Sequence, residues 1–214
     1  MTSPHDIARS RTTTALLEGL IAAEGADLYR AAWLQFDQRY RPLLARLFRG
    51  LGFDGADAAD LSQDTLLCFV RDYRRGAYDR RRGRLRAWLL AIARARAANH
   101  RRRHTPATMR DSVLDLEPGK DELEAAWEVA WRQHTLAEAL ERLHRAGGLE
   151  PATIRAFEAT AIEGQAAAEV ATELGVAVGA IYVARHRAMT RLRELVAQAE
   201  ELFDADAVFP EREE

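Results

Sequence analysis

The 214-residue chain carries a formal net charge of −2, is 48% hydrophobic and 7% aromatic, and holds one cysteine, Cys68. That length holds one large domain or two small ones and can bury a core, while a lone cysteine excludes an internal disulfide and a cysteine-cluster zinc site. No apolar run reaches the length needed to span a bilayer, and with no secretory leader pattern the expected compartment is the cytoplasm.

In chain order, a polar start leads to Thr13 or Thr14 as the cap of a short helix ending near Ala23, with Leu16, Leu17, Leu20 and Ile21 on one face. Residues 1–26 therefore read as an N-terminal tail and short helix. Asp27 opens a longer helix, Leu28 to Leu51, in which Trp33, Phe36, Tyr40, Leu43, Leu44, Leu47 and Leu51 keep helical spacing. Pro42 inside that pattern is expected to kink or break it.

The stretch from Asp54 to His104 is acidic at its start and basic at its end. Between Arg71 and Arg110 fourteen arginines face two acids, Asp72 and Asp79, a local charge of 14 − 2 = +12. A cluster of that density, interleaved with Tyr73, Tyr78 and Trp88, attracts polyanions, and nucleic acid is the commonest of them. The competing reading is a solvated arginine-rich face, since Lys120 is the only lysine. Two helices are expected here. One runs from about Ala56 to Arg75 with Leu61, Thr65, Cys68 and Phe69 on its apolar side, and Asp57, Asp60 and Asp64 elsewhere. Gly76 stops it. The other runs from about Leu85 to Arg103, with Leu85, Trp88, Leu89 and Ile92 on one stripe and Arg86, Arg94 and Arg101 roughly opposite. The loop from Gly76 to Arg84 between them is too polar to bury, and a basic loop with an aromatic suits unpaired DNA, where cations follow phosphates and rings stack on bases. Trp88, being on the apolar stripe, is expected in the core rather than as a stacking platform.

Residues 105–120 read as a linker. Pro118-Gly119 is a breaker, and between Asp111 and Glu128 seven acids face the single cation Lys120. A helix from about Asp121 to His144 follows, with Trp127, Trp131, Leu136, Leu140 and Leu143 as apolar positions. Pro151 suits the first turn of the next helix, through Ile162. Ala167 to His186 fits a helix-turn-helix: Val170, Leu174, Val176, Ile181 and Ala184 as the apolar set, Ala171 small where two helices cross, and Gly175 for the positive φ of the turn. The second helix, about Gly179 to Ala199, would enter a major groove by its N-terminal end. Beyond Leu195 the chain turns acidic, and residues 200–214 read as a solvating, disordered tail, with a shield over the basic DNA surface before polymerase binds as the alternative.

Two runs carry a family resemblance. Asp57-Ala58-Ala59-Asp60-Leu61-Ser62-Gln63-Asp64, with Tyr78 and Gly83-Arg84-Leu85-Arg86-Ala87-Trp88-Leu89, resembles region 2 of sigma-70 family factors. Within that family the chain most resembles the two-domain extracytoplasmic-function (ECF) group. Val178-Gly179-Ala180-Ile181-Tyr182-Val183-Ala184-Arg185, ending in Arg191-Leu192-Arg193-Glu194, resembles region 4 of the same factors. Leu85 stands where relatives usually carry Phe, and Ala177 where they often carry Ser or Thr, an N-cap whose loss costs about 1 kcal/mol.

The resemblance implies an all-α fold of two small helical domains joined by a linker: 27–104 like region 2 and 121–199 like region 4. It implies binding to core RNA polymerase through Asp57, Asp60, Leu61, Gln63, Asp64 and Phe69. It implies contact with promoter DNA at the −10 element through Tyr78, Arg80, Arg84, Arg86, Trp88, Arg94, Asn99 and Arg101. At the −35 element it implies Tyr182, Val183, Arg185, His186, Arg187 and Arg191. An anti-sigma factor is a further partner it brings with it. The outcome would be promoter recognition and DNA opening, without catalysis, cofactor, metal or membrane insertion.

The residues themselves offer no catalytic constellation: there is no phosphate-binding glycine loop and no H-E-x-x-H. His100 and His104 are four apart on a helix, but the adjacent Arg101, Arg102 and Arg103 disfavour a metal ion, so this helix end is expected to face phosphate. Two alternatives stand beside the sigma-factor reading. A helix-turn-helix regulator acting without polymerase leaves the 54–104 stretch unexplained. A nucleic-acid-processing enzyme has no candidate active site.

Overall fold

The computed structural model describes Leu17, Leu20 and residues 26–77, 85–104, 118–145 and 148–204. Among them all regular structure is helical, as expected: α1 (Ala26–Gly50), α2 (Gly55–Arg74), α3 (Leu85–His104), α4 (Lys120–Arg145), α5 (Pro151–Phe157) with a π-helical turn Glu158–Ile162, α6 (Ala167–Leu174) and α7 (Val178–Asp204). No single helix among the described residues is long and apolar enough to cross a membrane. Contacts divide the chain into two units, the first running to His134 and the second Thr135–Glu201. The division falls inside α4, later than the expected domain start at 121, because Leu123, Trp127 and Ala130 pack into the first core.

In the first unit, α1 is a single helix through Pro42, so of the expected kink or break, the break does not occur. The proline removes one backbone bond, a penalty of about 3 kcal/mol in an isolated helix. On either side of it, Phe36, Leu43, Leu44, Leu47 and Phe48 are all fully buried. Burying five such side chains outweighs the lost bond, since each contributes about 1.5–3 kcal/mol. Asp54 starts α2: its carboxylate accepts from the Asp57 amide at 2.8 Å, a cap worth about 1 kcal/mol. Gly76, at φ 72, ends it, with the Ala77 amide reaching back to the Asp72 carbonyl at 3.0 Å. An aromatic chain then ties the three helices. Phe36 of α1 stacks on Phe69 of α2 at 5.1 Å, and Phe69 meets Trp88 of α3 edge-to-face at 5.3 Å. Cys68 is buried in this core, as its helical position predicts.

The second unit has two small cores. Ala139, Leu143, Phe157, Ala188, Leu192 and Leu195 form one; Ala156, Ala159, Val170, Ala171 and Ile181 form the other. Pro151 opens α5 at the position where its missing amide costs nothing. The π turn then lets the Glu163 amide reach the Glu158 carbonyl at 2.9 Å, which extends the helix to the expected Ile162. Two apolar expectations fail. Leu136 and Val176 are exposed; Leu136 shares the helical face of Ala139 and Leu143 but stays uncovered, and Val176 falls in the turn between α6 and α7, where no helical face buries it. Helix α7 continues to Asp204, past the 200 where the acidic tail was expected to begin.

Candidate functional site

The exposed side of α2 is a stripe. Its core side holds Ala58, Leu61, Ser62, Thr65, Leu66 and Phe69. The two hydroxyls there are satisfied within the helix, Ser62 and Thr65 donating to the Ala58 and Leu61 carbonyls. Outward, at i, i+3, i+4 and i+7, lie the exposed Asp60, Gln63, Asp64 and Leu67. Leu61 and Phe69, expected in the same contact set, are 4% and 0% exposed. Both pack into the first core from the opposite side of the helix. Leu67, which sequence reasoning missed, is 48% exposed. Its signal was present: a leucine three residues beyond Asp64, off the apolar side of the helix.

Asp57 is tied inward. His100 Nε2 lies 3.1 Å from its carboxylate, which joins the start of α2 to the last turns of α3. The His100 ring stacks on His104 at 4.1 Å and meets Phe53 edge-on at 5.4 Å. Among the described residues no group of three His, Cys, Asp or Glu side chains is placed to hold a metal ion.

On α3, Leu85, Leu89, Ile92, Ala93 and Ala97 are buried, and the arginines divide by what they touch. Arg86 pairs with Glu128 at 2.7 Å and lies over the Trp127 ring at 5.6 Å. Arg101 donates to the Leu51 carbonyl at 2.8 Å with its guanidinium 5.1 Å from the Phe53 ring centre. Both therefore pin α3 to neighbouring elements. Arg94 and Asn99 are half-buried, with Asn99 accepting from Arg102. Arg102 and Arg103 are exposed. Trp88 is half-buried and packed against Phe69, as its place on the apolar stripe predicts. Tyr78, Arg80 and Arg84 lie outside the described residues.

In the second unit, Gly175 caps α6 at φ 66 and ψ 33, the left-handed conformation that the turn requires. The axes of α6 and α7 turn by 102° across it, within the range of helix-turn-helix pairs. Ala171 and Ile181 are buried at the crossing. Arg155 braces this arrangement from α5. It reaches Glu163 at 2.6 Å and Glu173 of α6 at 3.4 Å, and the Glu163 hydrogen bond holds its guanidinium pKa above the ordinary value. Ala177, just before α7, carries no side chain that could cap it, and its carbonyl accepts from the Ala180 amide at 2.9 Å.

The first turns of α7 project Tyr182 and Val183, 59% and 51% exposed, together with exposed Arg185, His186 and Arg187. Val176 and Val178, also exposed, extend this apolar entrance and were not anticipated as part of it. Arg191 is half-buried and paired with Glu194 at 2.8 Å. The unit thus presents aromatic, aliphatic and cationic groups on the first turns of one helix.

Comparison with known proteins agrees with this geometry. The family Sigma-70 region 2 matches residues 36–106, which spans most of α1, all of α2 and all of α3. The chain is 30% identical over 178 residues to the RNA polymerase sigma factor CarQ of Myxococcus xanthus, a match covering 81% of this chain and 92% of that protein. The acidic stripe of α2, the arginine-rich end of α3 and these similarities together place the chain in the sigma-70 family of RNA polymerase sigma factors.

Proposed function

We propose that the chain is a sigma factor of the ECF type that docks on core RNA polymerase through α2 and contacts promoter DNA through both units. Asp60, Gln63 and Asp64 face cations of the polymerase, with Leu67 as the apolar anchor among them. Asp57, Leu61 and Phe69 set the pose of that surface. Residues 78–104 then hold the −10 element. Tyr78, Arg80 and Arg84 act in opening, and Trp88 and Arg94 shape the face from within. Asn99, Arg101 and Arg86 position the phosphate-facing helix end that carries Arg102 and Arg103. The helix-turn-helix acts as region 4, reading the −35 duplex with Tyr182, Val183, Arg185, His186 and Arg187, while Arg191 follows the backbone. Two contacts on one chain suit two separated promoter elements, because tethering raises the effective concentration of the second. The work is done in the cytoplasm, and an anti-sigma factor covering the same surfaces is the expected regulator.

The observation that carries this reading is the exposed Asp60–Gln63–Asp64–Leu67 stripe, held on a helix whose opposite side is packed against the basic α3. Asp60→Arg with Asp64→Arg tests it. Like charges across an interface cost several kcal/mol, so core-polymerase affinity should fall by about 100-fold or more, with the helical circular dichroism signal intact. Unchanged affinity would remove α2 from the interface.

A further inference from the structure

Beside the docking stripe, α1 and α2 frame an open groove of about 460 Å³. Tyr29 and Trp33 of α1 and Leu67 of α2 give it an aromatic and aliphatic floor, and Arg71, Arg74 and Arg75 form a cationic rim. The Arg74 guanidinium lies over the Tyr29 ring, 5.2 Å from its centre, so charge and ring surface are presented together. A groove of this build fits a peptide with apolar side chains flanked by carboxylates. The chain contains such a peptide. Residues 205–214, which lie outside the described residues, read Ala-Asp-Ala-Val-Phe-Pro-Glu-Arg-Glu-Glu, with four acids against one arginine around Val208 and Phe209.

We propose that this segment occupies the groove, with Phe209 on the Tyr29–Trp33 floor and Glu211, Glu213 and Glu214 toward Arg71, Arg74 and Arg75. Ten residues after the end of α7 span up to about 33–36 Å when extended, and Pro210 favours an extended backbone for the residue before it. Exposed ion pairs of this kind contribute little singly. Being on the same chain supplies a millimolar effective concentration that a free peptide lacks, which makes occupancy reversible and salt-sensitive. Leu67 belongs both to the groove and to the stripe assigned to polymerase docking, so an occupied groove and a docked α2 exclude each other. That consequence rests on the docking reading above; occupancy of the groove does not.

A photo-crosslinking residue at position 209 of the full chain reads occupancy directly. Crosslinks should map by peptide mass spectrometry to the segments around Tyr29–Trp33 or Leu67–Arg75. They should weaken severalfold between low and high salt. Arg74→Glu with Arg75→Glu should reduce them by about fivefold or more, and adding Glu211→Arg with Glu213→Arg should restore them. Crosslinks to residues 135–204, between two chains, or insensitive to both charge reversals would overturn the proposal. With occupancy established, removing residues 205–214 should raise core-polymerase affinity by about twofold to tenfold. If the crosslinks map to the groove while that truncation leaves affinity unchanged, the docking assignment of Leu67 fails and the groove assignment stands.

Discussion

Arg101 separates two roles that the sequence cannot tell apart, and its replacement has a calculable effect. The side chain joins the last turn of α3 to the α1–α2 turn, donating to the Leu51 carbonyl at 2.8 Å and lying 5.1 Å from the Phe53 ring centre. A hydrogen bond from a charged donor contributes about 1.5–3 kcal/mol, and a partly exposed cation–π contact about 0.5–1 kcal/mol. The residue is half-buried, so solvent screening sets the sum at the low end, and Arg101→Ala should destabilise the first unit by about 2 kcal/mol. Arg101→Lys keeps the charge but not the planar fork, and should recover part of that loss. Because the guanidinium is committed inside the unit, the salt dependence of promoter-DNA binding should keep its slope in both variants, measured where each remains folded. Urea denaturation followed by tryptophan fluorescence gives the first number, and binding titrations at several salt concentrations give the second. A stability change below about 0.5 kcal/mol together with a slope reduced by about one would mean that Arg101 spends its charge on phosphate, and the structural role would be wrong.

Three further outcomes follow from the second unit. Gly175→Ala places a Cβ that meets nothing within 4 Å, so its cost is the left-handed backbone alone, about 1–2 kcal/mol, seen as a lowered melting temperature; Gly175→Asn should cost less. Arg185→Ala or Arg187→Ala should change which −35 sequences are selected from a library, since a guanine contact carries about 1–3 kcal/mol of discrimination. Arg191→Ala should weaken all sequences alike and lower the salt slope by about one; a change in the selected sequence with Arg191→Ala alone would refute this placement of α7.

Local signals were legible in the chain. Gly76, Pro151 and Gly175 act through their own backbone, so the helix ends they mark could be read within a few residues. Side chains whose role depends on distant partners could not. Arg101 finds the Leu51 carbonyl fifty positions away, and Arg86 finds Glu128; as sequence, both are simply cations in a basic run. Pro42 misled because its penalty is local while the burial that overrides it belongs to three helices. Leu136 misled for the opposite reason: helical spacing puts it on the face of Ala139 and Leu143 without supplying a neighbour to cover it, and Val176 misled because it falls in the turn between two helices. Leu67 shows the gain from a structure most clearly, since its exposure beside Asp64 turns an ordinary helix leucine into a candidate contact.

The most direct test of the account is run-off transcription with core RNA polymerase, this chain and a pool of genomic promoter fragments. Transcripts with defined starts are expected from a small subset of fragments, dependent on the chain and lost with Asp60→Arg and Asp64→Arg. Transcription that is the same with and without the chain, under conditions where the protein is folded and binds DNA, would contradict it.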